Sequence, residues 1–224
     1  MTVMGMAGAR QHLRLGGWWG IVFSAGLLIE ASMVSVPTAA LSGEEIQAFY
    51  AAHRQIIIIQ QLVGVVLLVP LLAFARTLDR RSRGGDRHGV GWIMLAALAV
   101  ASGELATNAL PFLLAVLTDV PAGTVHGLSF VADLADDALF ASIALFSIVV
   151  TPTDWTWLRR LGVLVGTVAL VRAVAGLFGV TALDGTAPIA FLAFVVALSA
   201  QTILLDRARA AAYPTAVSQL RGDV

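Results

Sequence analysis

The 224-residue chain contains no cysteine and no lysine, and only 12% of its residues are charged. Each shortage removes a class of function. Without cysteine there are no disulfides, no thiolate metal sites and no cysteine nucleophile. Without lysine there is no Schiff-base chemistry, and all fourteen basic residues are arginine. Histidine occurs four times, at positions 12, 53, 88 and 126, with no His-x-x-x-His or Glu-x-x-His spacing, so no zinc centre is expected. No phosphate loop, no G-x-G-x-x-G and no complete D-D-x-x-D is present, and no metal or organic cofactor is expected. The formal net charge of zero gives no reason to expect a nucleic-acid partner.

Apolar sequence is plentiful. Hydrophobic residues make up 58% of the chain and mean hydropathy is +0.88, whereas a soluble domain carries about 25% charged residues. The implied solvent is a bilayer, and the implied fold is a single all-α transmembrane domain over residues 1–224 in the cell membrane, multi-pass. A spanning helix needs about 20 mostly apolar residues. Six segments qualify, at about 17–36, 56–75, 91–117, 128–150, 158–180 and 187–205. A cleaved leader over residues 1–40 is the lesser reading, because Glu30 interrupts the apolar run and the stretch is long enough to span.

Arginine distribution predicts the orientation. Arg10, Arg14, Arg76, Arg80, Arg81, Arg83, Arg87, Arg159, Arg160, Arg207, Arg209 and Arg221 all fall on alternate loops, and the opposite loops hold only Arg54. The positive-inside rule then puts both termini in the cytoplasm. All five tryptophans, Trp18, Trp19, Trp92, Trp155 and Trp157, fall at the same ends, as an aromatic belt would. In the first outer loop, Ser42 and Glu45 have capping-box spacing. Ile46, Phe49 and Tyr50 then form one stripe, predicting an interfacial helix on the outer surface in preference to a lid.

Ionisable groups inside spans are costly and mark function by default. Glu30, Glu104, Asp133, Asp136 and Asp137, with Asn108, Gln60, Gln61 and Arg172, lie at similar height in five of the six spans, in the outer half of the bilayer. Five carboxyls thus face one guanidinium. One arginine satisfies one or two carboxylates, so at least one acid is expected to keep its proton at neutral pH and to act as a hydrogen-bond or proton donor. A structural reading competes, in which the same groups form a polar clasp between helices.

The short first span, "FYAAHR" in the outer loop, the arginine-rich inner loop and "LRRLGVLVG" opening span five resemble a broad family of actinobacterial six-span membrane proteins. That likeness covers most of the chain and implies no activity. "DLADD" and the intramembrane acids are similar to features of small integral-membrane terpene cyclases of meroterpenoid pathways, isomerases or lyases that protonate a prenylated substrate without a metal. "DLADD" departs from the D-x-D-D acid motif of soluble proton-initiated cyclases by one inserted residue. The resemblance implies Asp133, Asp136 or Asp137 as the acid, with Glu104 or Glu30 as its partner. It also implies that Phe112, Phe130 and Phe140 stabilise cations through their π faces, in a site that takes a lipophilic small molecule. A proton-coupled transporter or small-ligand-binding protein, and a structural or accessory subunit, are the alternatives.

Overall fold

The computed structural model describes residues 16–83, 91–117, 120–150 and 156–222, with side chains described as far as residue 208. Six α-helices account for most of them: α1 (Gly16–Ala31), α2 (Gly43–Ser82), α3 (Trp92–Val116), α4 (Ala122–Val149), α5 (Thr156–Gly176) and α6 (Thr186–Gly222). No strand occurs among the described residues. Each helix packs against its neighbours in chain order and α6 returns to α1, which closes a ring. Three helices, α2, α3 and α6 over Thr186–Ala208, are long and apolar enough to cross a membrane; α1 is a shorter apolar helix.

One apolar core runs through all six helices, from Phe23 on α1 through Leu71 and Phe74, Ala97 and Val100, Ile143 and Phe146, Val165 and Ala169, to Phe194 and Leu198 on α6. A second, smaller core joins Ile46, Tyr50 and Ile57 of α2 to Leu114 and Ala115 of α3 and Val125 of α4. Facing outward, every helix carries exposed large apolar side chains, among them Ile29, Val66, Leu105, Leu145, Leu164 and Ile189.

The helix bounds depart from the sequence expectation in several places. α1 stops at Ala31, and residues 32–41 run as an irregular strap toward α2. The amphipathic stretch after Ser42 forms its own helical arm at the start of α2, set off by a kink at His53 (φ −114°, ψ 15°) from the apolar helix that follows. Ile46 and Tyr50 are buried against α3 and α4, so the stripe meets protein where an interface was expected. The capping box is present as read: Glu45 N–H donates to Ser42 Oγ (3.3 Å) and Ser42 N–H donates to Glu45 Oε2 (2.9 Å). α6 continues well past residue 205, and α5 ends at Gly176, short of residue 180.

α5 ends in a Schellman turn. Val180 N–H donates to Ala175 O (3.0 Å), and Gly179 N–H donates to Gly176 O (2.8 Å). Gly179 takes φ +70°, the left-handed geometry such a turn requires. This stop turns the chain over the bundle and delivers Asp184 back to the end of α5.

Candidate functional site

A cavity of about 630 Å³ lies between the two cores, toward the ends of the helices where the 32–41 strap crosses. Its floor is the large core: Phe23, Leu71, Val100, Phe140, Ile143 and Phe191. Phe191 makes edge-to-face contacts with Phe23 (6.4 Å between centroids) and Phe146 (6.2 Å), which fills the space below the floor. One side is a polar wall that contains Glu30, Glu104, Asn108, Asp133, Asp136, Asp137 and Arg172. The volume falls within the range of small-molecule sites, about 300–1,000 Å³.

Helical periodicity builds the wall. On α3, Glu104, Thr107, Asn108 and Pro111 lie three and four residues apart and all line the cavity. On α4, Ser129, Asp133, Asp136, Asp137 and Phe140 do the same. The wall therefore gathers the expected carboxyls Glu30, Glu104, Asp133, Asp136 and Asp137 from α1, α3 and α4, and Asn108, Gln61, Arg172, Phe130 and Phe140 also line the cavity. Two expected residues lie elsewhere. Phe112 follows Pro111 by one residue, which rotates it about 100° around α3 and off the lining. Gln60 is buried beside the wall, where its amide donates to the carbonyls of Glu30 (3.1 Å) and Val34 (3.0 Å). It ties the end of α1 and the strap to α2.

The carboxyls fall into two groups. Arg172 holds the first. Its Nη1 donates to Asp137 Oδ1, its Nη2 donates to Asp136 Oδ2 at 2.5 Å, and its Nε lies 3.1 Å from Asp184 Oδ1. The guanidinium carbon also sits 4.6 Å from the centroid of the Phe140 ring. That ring face is occupied by the arginine and is not free for a ligand cation. Gly176 makes the network possible, since a Cβ there would strike the Asp137 carboxyl and Arg172 Nη1.

The second group has no arginine partner. Glu30 and Glu104 lie within electrostatic reach of each other, and neither forms an ion pair among the described residues. Glu104 accepts a hydrogen bond from Asn108 Nδ2 (3.1 Å), whose amide also donates to Glu104 O (2.7 Å). Asp133 stands between the groups. Its Oδ2 accepts the Ala39 N–H (2.9 Å), so it latches the strap over the cavity, and it also feels Arg172 and Asp184. Asn108 Oδ1 and Ser129 Oγ, both on residues of the cavity wall, are buried without a hydrogen-bond partner.

Three contributions escaped the sequence reading. Asp184 lies in the loop after α5, and Arg172, one helical turn from the end of α5, reaches it with its long side chain. The strap residues Val36, Pro37, Thr38, Ala39 and Ala40 line the cavity, and Tyr50 joins them from α2. No motif marks the strap; only its proximity to the acid layer could have pointed to it.

Among the described residues, the other end of the bundle is closed by side-chain ties. Arg81 Nη2 donates to both oxygens of Asp206 at 2.6 Å, joining α2 to α6. Asp79, 4% exposed, accepts from Arg83 Nη2 (2.5 Å) and from Gly91 N–H (3.3 Å), which fixes the start of α3. Arg10, Arg14, Arg87, Asp119 and Trp155 lie outside the described residues.

No protein-family model, curated protein or solved structure matches this chain.

Proposed function

We propose that the protein is a six-span membrane enzyme with cytoplasmic termini. In this reading it cyclises a prenylated, lipophilic substrate by proton transfer from the Glu30–Glu104 pair in its outer-half cavity. Exposed apolar side chains on all six helices support six lipid-facing spans, including the three that length and composition do not select by themselves. The arginine-bearing ends of α2 and α6 coincide through Arg81 and Asp206, as one cytoplasmic face requires.

The observation that carries the chemical reading is the division of the carboxyls. Arg172 contacts Asp136, Asp137 and Asp184, one cation shared by three carboxyls, and this group acts as the clasp. Glu30 and Glu104 both line the cavity beside its apolar floor, and neither has an ion pair among the described residues. In this reading the two carboxyls would share a proton and supply it to the substrate. The reaction would begin with that proton moving to the terminal alkene carbon, or to an epoxide oxygen as its C–O bond breaks. An internal C=C then attacks the cation and forms the ring bond. The final cation loses a proton to the carboxylate, which restores the pair and leaves an isomer of the substrate. The aromatic floor, Phe23 and Phe191, would stabilise the intermediate cation.

A carrier using the same acids would need a path to the inner face, where the large core fills the bundle from Phe74 to Phe194. The packing thus favours chemistry over transport.

The test is product formation from prenylated phenols or quinols in proteoliposomes, with folding checked by thermal denaturation. Glu104→Gln and Glu30→Gln are expected to lose about 10²–10⁴-fold in turnover while keeping the melting temperature within a few degrees. Asp133→Asn, whose amide oxygen still accepts the Ala39 N–H, is expected to keep most activity. If the wild type yields no cyclised product, or if both glutamine variants turn over normally, the reading fails.

A further inference from the structure

The cavity wall does not end inside the bundle. It runs outward between α4 and the turn that follows α5, across Phe130, Leu134, Leu177 and Val180. These four side chains are 55%, 39%, 60% and 49% exposed, so the lining is continuous with the lipid-facing surface of the bundle. Every one is apolar. Just behind this rim the lining turns polar at Asp133, Asp137 and Arg172. On the strap side the cover is pinned instead, with Ala39 N–H on Asp133, Gln60 on the carbonyls of Glu30 and Val34, and the His126 ring nitrogen 3.2 Å from Leu41 O. The four rim side chains make no side-chain hydrogen bond; the tie between α4 and the segment after α5, Arg172 with Asp136, Asp137 and Asp184, lies behind them.

We infer that ligand enters sideways through this rim from the outer leaflet, and that its class is a membrane-dissolved molecule with a long apolar chain. An aqueous solute arriving over the strap would have to break three hydrogen-bonded contacts. A lipid-dissolved chain meets only apolar side chains at the rim itself, where it displaces no hydrogen bond, before it reaches the polar groups behind. The Schellman turn supports this assignment, because it orders Leu177 and Val180 on a rigid stop. The inference rests on the outer-half site proposed above and adds the route and the class of molecule.

The chain has no cysteine, which gives a clean background for labelling. Thr107→Cys places a thiol on the polar wall beside Glu104. In proteoliposomes the thiol is treated with N-dodecylmaleimide, which dissolves in lipid, and separately with a sulfonated maleimide confined to water. Each rate is divided by the rate of the same reagent at an exposed Ala51→Cys control. The dodecyl reagent is expected to react at least about tenfold faster than the sulfonated one at Cys-substituted 107, as partition of its chain favours. Adding Leu134→Trp with Leu177→Trp is expected to slow the dodecyl reagent alone, whereas Thr38→Trp with Ala40→Trp leaves it unchanged. The proposal is overturned if the sulfonated reagent is the faster, if the strap tryptophans and not the rim tryptophans block reaction, or if neither reagent reacts. Labelling measures no turnover, so a protein that cyclises nothing can still admit lipid through this rim, and a working cyclase can still fail the labelling test.

Discussion

Arg172 is the residue on which the polar layer depends. It is 8% exposed and contacts three carboxyls, two on α4 and one in the loop after α5. Replacing it with glutamine leaves Asp136 and Asp137 facing each other without a cation. Removal of one partner from a buried ion pair costs about 3–5 kcal/mol, so Arg172→Gln is expected to melt far below the wild type in detergent. Arg172→Lys, which keeps the charge and loses the fork, should fall between them. Gly176→Ala probes the same network from the backbone. Its new methyl would meet the Asp137 carboxyl and the Arg172 fork, and overpacking of this kind costs about 1–3 kcal/mol. A Gly176→Ala variant as stable as the wild type would show that the clasp can shift, and would weaken the case for it as a fixed support of the site.

At the scale of elements, α2 is the organising helix. It consists of two helical parts joined at a kink at His53, and the part after the kink carries the apolar run long enough to cross a bilayer's hydrocarbon core. Its first part, as far as His53, stands beyond the 56–75 span, and the second core packs it against α3 and α4. The capping box starts this projection, and Ser42→Ala is expected to cost about 1 kcal/mol, seen as faster amide exchange over residues 43–46. The same turn carries a pH dependence. The Ser42 hydroxyl and backbone N–H hold the Glu45 carboxyl below its ordinary range. A lowered acid contributes stability above its unfolded value and loses it as pH falls through the folded value. Exchange at this turn should therefore speed up on acidification in the wild type and respond less in Glu45→Gln.

For the whole molecule, the six-helix ring makes a topological prediction that labelling can decide. With six spans, thiols at Ala51→Cys and Gly123→Cys react with an impermeant maleimide in intact cells. A thiol at Ala208→Cys reacts only after permeabilisation. Labelling of position 208 from outside would mean that one helix does not cross, and would move the cavity relative to the bilayer.

Much of this architecture is written locally in the chain. Apolar runs separated by polar and arginine-bearing segments mark the six helices, because helix formation and burial of apolar side chains both act on local composition. The Ser42–Glu45 cap is equally local, as two side chains four residues or fewer apart decide it. The height of Glu30, Glu104, Asp133, Asp136, Asp137 and Arg172 follows from helical rise, so a shared polar layer was legible before any contact was known. Partnership was not. Five carboxyls and one arginine at one height admit many pairings, and the choice depends on how each helix is rotated and how closely it packs. Gly176 and the turn at Gly179 set that for Arg172, and they bring in Asp184 from a loop. The same packing turned Phe112 away from the cavity, used Gln60 as a tie and drew the strap across the top. It also laid the outer amphipathic stretch against α3 and α4, because Ile46 and Tyr50 found apolar partners there that periodicity cannot name. Residue order and helical rise settle which side chains reach the layer; helix rotation and packing settle which carboxyls meet Arg172 and which do not.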